Sequence, residues 1–216
     1  MKKSKDIDFG KRAAAYDGGI MGKGSRKFYD LILREIALRP GAAVLDVGCG
    51  TGALLNQLSG VCEINGYGID LAEEMINEAK KKNPQMNFQA ARCDRLPFAD
   101  NTFDVLIACM AFHHYDNKEG FAKEAARVLK PGGMLYIADP RFPRLIRKAL
   151  NSVLRAVRVV GAFHAPEEIE TRFISSGFIR NGVTVDAYAQ LVKLRRSHEG
   201  ALNETCKERA AGMEQR

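Results

Sequence analysis

The chain has 216 residues, 46% hydrophobic and 27% charged, the balance of a globular protein able to bury one sizeable core. No apolar run reaches the ~18 residues of a membrane span, and the basic N-terminus MKKSKDIDFGKRAAAYD lacks the apolar stretch of a secretory leader, so an intracellular, cytoplasmic protein is expected. Lys+Arg 33 against Asp+Glu 26 gives +7, which suits an anionic partner or simple solubility, while five cysteines without a C-x-x-C pair argue against a disulfide framework and a zinc site.

Residues 1–25 carry several glycines ahead of the first core helix and read as an N-terminal lid. SRKFYDLILREIALRP places Phe28, Leu31, Ile32 and Ile36 at helical spacing and is stopped by Pro40. AVLDVG is a strand, ALLNQLSG a helix closed by Gly60, INGYGID a second strand and LAEEMINEAKKKN its following helix. MNFQAARCD supplies a third strand and FDVLIACM a fourth. KEGFAKEAARVLKPGG is a helix with a Pro-Gly-Gly stop, and MLYIADP is a fifth strand. After an insert at 141–166 come the helix APEEIETRFISSG and two strand-like runs, FIRNGVTVD and AYAQLVKLRR. Those runs are too close for a parallel crossover, so the last pair is expected to be antiparallel. Beyond about residue 197 the chain is polar and reads as a frayed tail. The alternation defines an α/β fold in one domain, with a doubly wound, mainly parallel, seven-stranded sheet.

The most informative stretch is VLDVGCGTG, Val44 to Gly52. Gly48, Gly50 and Gly52 follow the first strand and open a helix, so a ligand can approach the backbone without meeting Cβ atoms. Asp70 closes the second strand 22 residues after Gly48, where a carboxylate can accept hydrogen bonds from a ribose diol or cap its own helix. Asp94 is expected to end the third strand at the same sheet edge, within reach of an exocyclic adenine amine.

VLDVGCGTG, GIDLAEEMINEAKKK, CDRLPFADNTFDVLIACMAFHHY and EAARVLKPGGMLYIADP, taken in order, resemble the successive motifs of class I S-adenosylmethionine-dependent methyltransferases. The nearest branch is the small-molecule one that includes the ubiquinone/menaquinone C-methyltransferases, whose lid segment FGKRAAAYD resembles; the likeness spans roughly residues 9–140. It implies that S-adenosyl-L-methionine is the cofactor. It also implies that Asp46 and the backbone of Gly48, Cys49, Gly50 and Gly52 hold the methionine portion, with Asp46 near its ammonium group. Asp70 would bind the ribose hydroxyls, Leu71 and Met75 the adenine face, and Asp94 with the Arg95 backbone the adenine amine. Ala108 and Cys109 would line the pocket near the sulfonium, and Tyr16 would close over it.

A sulfonium methyl is already activated, so the protein mainly has to position the nucleophile and exclude water. An acceptor of high pKa still needs a base, and His114 is the residue expected to act as one; His113, Asp139 and His164 are the other candidates.

The insert contains no acid between Pro140 and Glu167, but it contains Arg141, Arg144, Arg147, Lys148, Arg155 and Arg158. Its apolar residues recur at helical spacing, so it is expected to cap the acceptor site. It can pack its apolar stripe on the domain, the simpler expectation, or lie on an anionic membrane surface through residues 141–160. The fourth strand runs into ACMAF rather than an Asn/Asp-Pro-Pro-aromatic turn, which weighs against a nucleic-acid substrate and for a small apolar or anionic acceptor. Two alternatives stay open, a cofactor-binding regulator without transfer activity and an RNA methyltransferase. A nicotinamide enzyme would want G-x-G-x-x-G, but Ala53 and Leu54 follow Gly52.

Overall fold

A computed structural model of the chain describes residues 17–157, 159 and 161–198. In chain order the elements are α1 (Ile20–Glu35), β1 (Ala42–Val47), α2 (Ala53–Val61), β2 (Ile64–Asp70), α3 (Glu73–Lys82), β3 (Asn87–Ala90), β4 (Phe103–Cys109), α4 (Lys118–Val128), β5 (Leu129–Pro140), α5 (Arg144–Ala156), α6 (Pro166–Ile174), β6 (Phe178–Asp186) and β7 (Ala189–Arg196). A short 3-10 turn, Phe112–His114, follows β4.

The seven strands form one sheet in the order β3-β2-β1-β4-β5-β7-β6. β1 to β5 pair in parallel, while β7 lies antiparallel between β5 and β6. Only Ala187 and Tyr188 separate β6 from β7, too few residues for a crossover, and Ala187 adopts a left-handed φ of 53° to close the hairpin. The expected antiparallel pair is therefore present.

Helices cover both faces, so each central strand feeds two apolar layers. Along β4, Leu106 and Ala108 enter the layer built with Phe112, Phe121 and Phe173, while Val105, Ile107 and Cys109 enter the layer shared with α1, α2 and α3. The helix ends carry matching charge. α3 begins with Glu73 and Glu74 and ends with Lys80, Lys81 and Lys82, which complements its dipole. Asn117 caps α4 by accepting from the Gly120 amide at 2.9 Å.

Three elements depart from the sequence reading. β3 stops at Ala90, so Asp94 lies in the turn beyond it instead of at the strand end. β5 begins at Leu129 and takes in the Lys-Pro-Gly-Gly segment that reads as a helix stop. The third concerns α5, which buries no residue, and whose Leu145 and Val153 are 80% and 58% exposed. Leu145, Ile146, Val153 and Val157 face away from the domain while Leu150 and Leu154 are half-buried, so the apolar stripe packs on the domain only in part.

Candidate active site

Strand order reverses at β1, which has β2 on one side and β4 on the other, and it is beyond the carboxyl ends of the strands at such a point that open parallel sheets bind ligands in a crevice. The glycine turn occupies that edge. The amides of Gly48 and Cys49 both donate to the Ile69 carbonyl (2.7 and 2.9 Å), that of Gly52 to the Cys49 carbonyl (3.0 Å), and that of Gly50 to Asp70 Oδ2 (2.9 Å). Four of the turn's amides are thus spent on the protein, leaving the turn poorly suited to cradle a phosphate. Gly48 has φ 76°, and a Cβ there would sit 2.5 Å from the Ala111 Cβ. A Cβ on Gly50 would meet nothing within 4 Å, so that face of the turn is open to a ligand.

Asp46 is the most perturbed acid at this edge. It is 2% exposed, and its Oδ1 finds no hydrogen-bond partner among the described residues. Burial first, and the nearby Asp70 charge second, raise its pKa from 3.8 to about 8. A buried carboxylate without a donor is costly, and a cation seated against it would remove the cost. Asp70 accepts from the amides of Gly50 and Ala72, each at 2.9 Å, and burial raises its pKa against the pull of those bonds.

The other expected cofactor residues divide. Leu71 is 71% exposed just beyond Asp70, an apolar side chain with room for a flat ring, whereas Met75 is buried in α3. Cys109 is buried, and burial pushes its thiol pKa and that of Cys49 well up, which keeps both thiols protonated at neutral pH. Ala108 is fully covered within the opposite layer. Asp94 is not isolated at the crevice. Arg92 holds it by two bonds (2.9 and 3.1 Å), Asn117 Nδ2 donates to it at 3.0 Å, and the Arg92 pair lowers its pKa. The Arg95 amide donates to the Arg92 carbonyl at 3.2 Å within the same turn. Tyr16 lies outside the described residues. Its neighbour Asp17 accepts from Thr51 Oγ1 at 2.7 Å and pairs with Lys82 at 2.7 Å, which anchors Asp17 beside the glycine turn.

On the acceptor side, His113 is buried and its Nδ1 lies 2.8 Å from Asp139 Oδ1. The half-buried His114 ring lies 4.0 Å from that of His113, centroid to centroid, and Phe163 stacks on His113 at 5.1 Å. His164 is set apart. Its Nδ1 is 3.4 Å from Glu168, it packs edge-on to Phe112 (5.9 Å), and burial lowers its pKa. Met110, between Cys109 and the histidines, holds a left-handed φ of 55°, a strained conformation at the mouth of the crevice.

Sequence reasoning missed three supports. Tyr115 donates its hydroxyl to the Val47 carbonyl at 2.7 Å and so clamps β1 just before the turn. Asn117 and Arg92 orient Asp94. Asn151 of α5 bonds both the amide and the carbonyl of Phe163 (2.9 Å each), tying the insert to the histidine pair. None belongs to a periodic pattern; only the proximity of HHY to the fourth strand hints at Tyr115.

Residues 45–137, under half of the chain, match the family model described as a methyltransferase domain, a likeness that points to S-adenosylmethionine as the cofactor. The chain is 38% identical over 135 residues to a demethylmenaquinone methyltransferase of Chlorobaculum parvum, covering 62% of this chain and 54% of the relative. It is also 38% identical over 105 residues to a 2-methyl-6-phytyl-1,4-hydroquinone methyltransferase of Synechocystis, covering 47% and 33%. The chain thus spans about half the length, or less, of these relatives. Among solved structures, a SAM-dependent methyltransferase from Aquifex aeolicus superposes with TM-score 0.66 at 25% identity, over 86% of this chain and 97% of that one. A chain from the Haloferax volcanii complex of the Trm112 methyltransferase activator with a methyltransferase gives TM-score 0.78 at 20% identity, over 89% and 97%, and supports the fold alone.

Proposed function

We propose that the chain transfers a methyl group from S-adenosylmethionine to a small apolar or anionic acceptor. The observation that carries this reading is Asp46, a buried carboxylate whose Oδ1 has no partner among the described residues, beside a glycine turn with four of its amides already used. That site favours a cation over a phosphate, and the methionine end of the cofactor carries an ammonium group. The cofactor, when bound, supplies a methyl group activated by its sulfonium.

Asp46 would hold the ammonium, with Gly48, Cys49 and Gly50 beneath the amino-acid chain and Gly52 starting α2. Asp70, already fixed by two backbone amides, would accept from both ribose hydroxyls. Leu71 would cover the adenine, and Asp94 with the Arg95 backbone would meet its amine. Cys109 would wall the reacting centre, and Tyr16, next to the anchored Asp17, would close over it. Residues 141–166 would cap the acceptor. The acceptor atom would take the methyl carbon as the carbon–sulfur bond breaks and its electron pair stays on the sulfur, and a ring nitrogen of His114 would take the acceptor's proton. His113, held by Asp139, would fix the orientation of its neighbour.

The relatives named for a demethylated menaquinone and a phytyl hydroquinone make quinols the first acceptors to try. The test is transfer of labelled methyl from S-adenosylmethionine to a panel of quinols, phenols and apolar carboxylic acids. Product with at least one acceptor, and a loss of about 100-fold in kcat for His114→Gln with cofactor binding intact, are expected. Cofactor binding without transfer to any acceptor would favour the regulatory reading instead.

A further inference from the structure

We propose that α5 is a membrane-surface helix whose exposed apolar stripe lies on an anionic lipid bilayer. At about 100° per residue, Leu145, Ala149, Val153 and Ala156 fall in one column of the helix, with Ile146 and Val157 beside it, an arc of about 120°. All six are exposed, Leu145 by 80%, Val153 by 58%, Val157 by 54% and Ile146 by 52%. An exposed apolar stripe of this size marks a surface built for a partner.

The charges beside the stripe identify the partner. Arg144, Lys148 and Arg155 fall within about 40° of one another on one flank of the stripe. Residues 141–166 contain no acid, and Arg141, Arg144, Lys148 and Arg155 meet no carboxylate among the described residues. Arg141 and Arg144 also line a groove of about 600 Å³ at the start of α5, shared with Glu167, Glu170 and the Arg180 that pairs with Glu170. Apolar residues on one face with unpaired basic residues at its border are the pattern of helices that lie in the interfacial plane of anionic membranes. A helix that merely closed the domain would turn its apolar residues inward. Here only Leu150 and Leu154 turn inward, half-buried beside Arg147, which pairs with Glu168, and Asn151, which is clamped to the Phe163 backbone, and the wider apolar arc is left outside.

The clamp also gives the helix its place in the enzyme. Through Phe163, which stacks on His113, α5 joins the acceptor side of the crevice. A bilayer on the outer face of α5 would lie beside that mouth, so an apolar acceptor could pass from lipid into the site without crossing water. This last consequence rests on the methyl-transfer reading; membrane docking itself does not.

The test is co-sedimentation of the full chain with vesicles of phosphatidylcholine alone and of equal parts phosphatidylcholine and phosphatidylglycerol. The wild type is expected to partition onto the anionic vesicles and to be released by salt. Leu145→Ser with Val153→Ser, and separately Arg144→Ser with Lys148→Ser and Arg155→Ser, are expected to cut partitioning about tenfold at unchanged Tm. Failure to bind, binding indifferent to the Leu145 and Val153 changes, or burial of the stripe in a homodimer by sedimentation would each overturn the proposal. The assay needs no turnover, so its outcome is separate from that of the methyl-transfer test.

Discussion

Asp46 couples the site to pH. Its folded pKa, about 8, lies above the 3.8 of an ordinary carboxyl, so the folded state holds this proton more tightly than the unfolded chain does. The stability it contributes is present at low pH and is lost as the pH rises from about 4 to about 8. A cation seated against Asp46 favours the carboxylate, so below pH 8 its binding expels a proton. Affinity for S-adenosylhomocysteine is therefore predicted to rise between pH 6 and 8, with proton release visible as a buffer-dependent calorimetric enthalpy. In Asp46→Asn the proton release disappears and affinity falls at every pH. Gly48 is the other residue with a sharp expectation. Its φ of 76° and the 2.5 Å approach of Ala111 leave no room for a methyl group. Gly48→Ala should cost roughly 2–4 kcal/mol in chemical denaturation, from left-handed strain and overpacking together.

Among the elements, α5 is held differently from the rest. The sheet helices each bury an apolar face, whereas α5 buries no residue fully and is fixed by the Asn151 clamp, the Arg147–Glu168 pair and the half-buried Leu150 and Leu154. Such an element opens locally at low cost. Asn151→Ala is predicted to speed limited proteolysis and amide exchange across residues 141–163 while shifting the global Tm by less than about 2 °C. Unchanged protection of α5 in that variant would show that other contacts hold the helix. The sequence made this helix legible through its 3.6-residue period, but a period shows only that one face is apolar. Which face meets the domain was decided by Asn151 and Arg147, whose partners Phe163 and Glu168 lie 12 and 21 residues away. Asp94 teaches the same lesson. The sequence put it at the end of the third strand, but β3 stops short of it, and while its Arg92 partner is local, the bond from Asn117 depends on how α4 docks.

For the whole molecule, strand–turn–helix alternation and the short final hairpin were enough to indicate a mainly parallel sheet with an antiparallel end, because chain connectivity limits the topologies available. The glycine turn and Asp70 were equally readable, since local backbone geometry demands them: Gly48, Gly50 and Gly52 all have positive φ, and Asp70 bonds the Gly50 amide. Long-range single contacts such as Tyr115 to Val47 leave no periodic trace and needed the fold. The fold alone serves many activities, so the account depends on the cofactor crevice.

The most direct test of that crevice is calorimetric titration of S-adenosylhomocysteine, beside NAD, into the wild type and Asp70→Ala. The account predicts micromolar binding of the thioether, no comparable binding of NAD, and a weakening of tenfold or more in Asp70→Ala, about 1.4 kcal/mol. Well-folded protein that fails to bind S-adenosylhomocysteine, or binds it equally well without the Asp70 carboxylate, would contradict it.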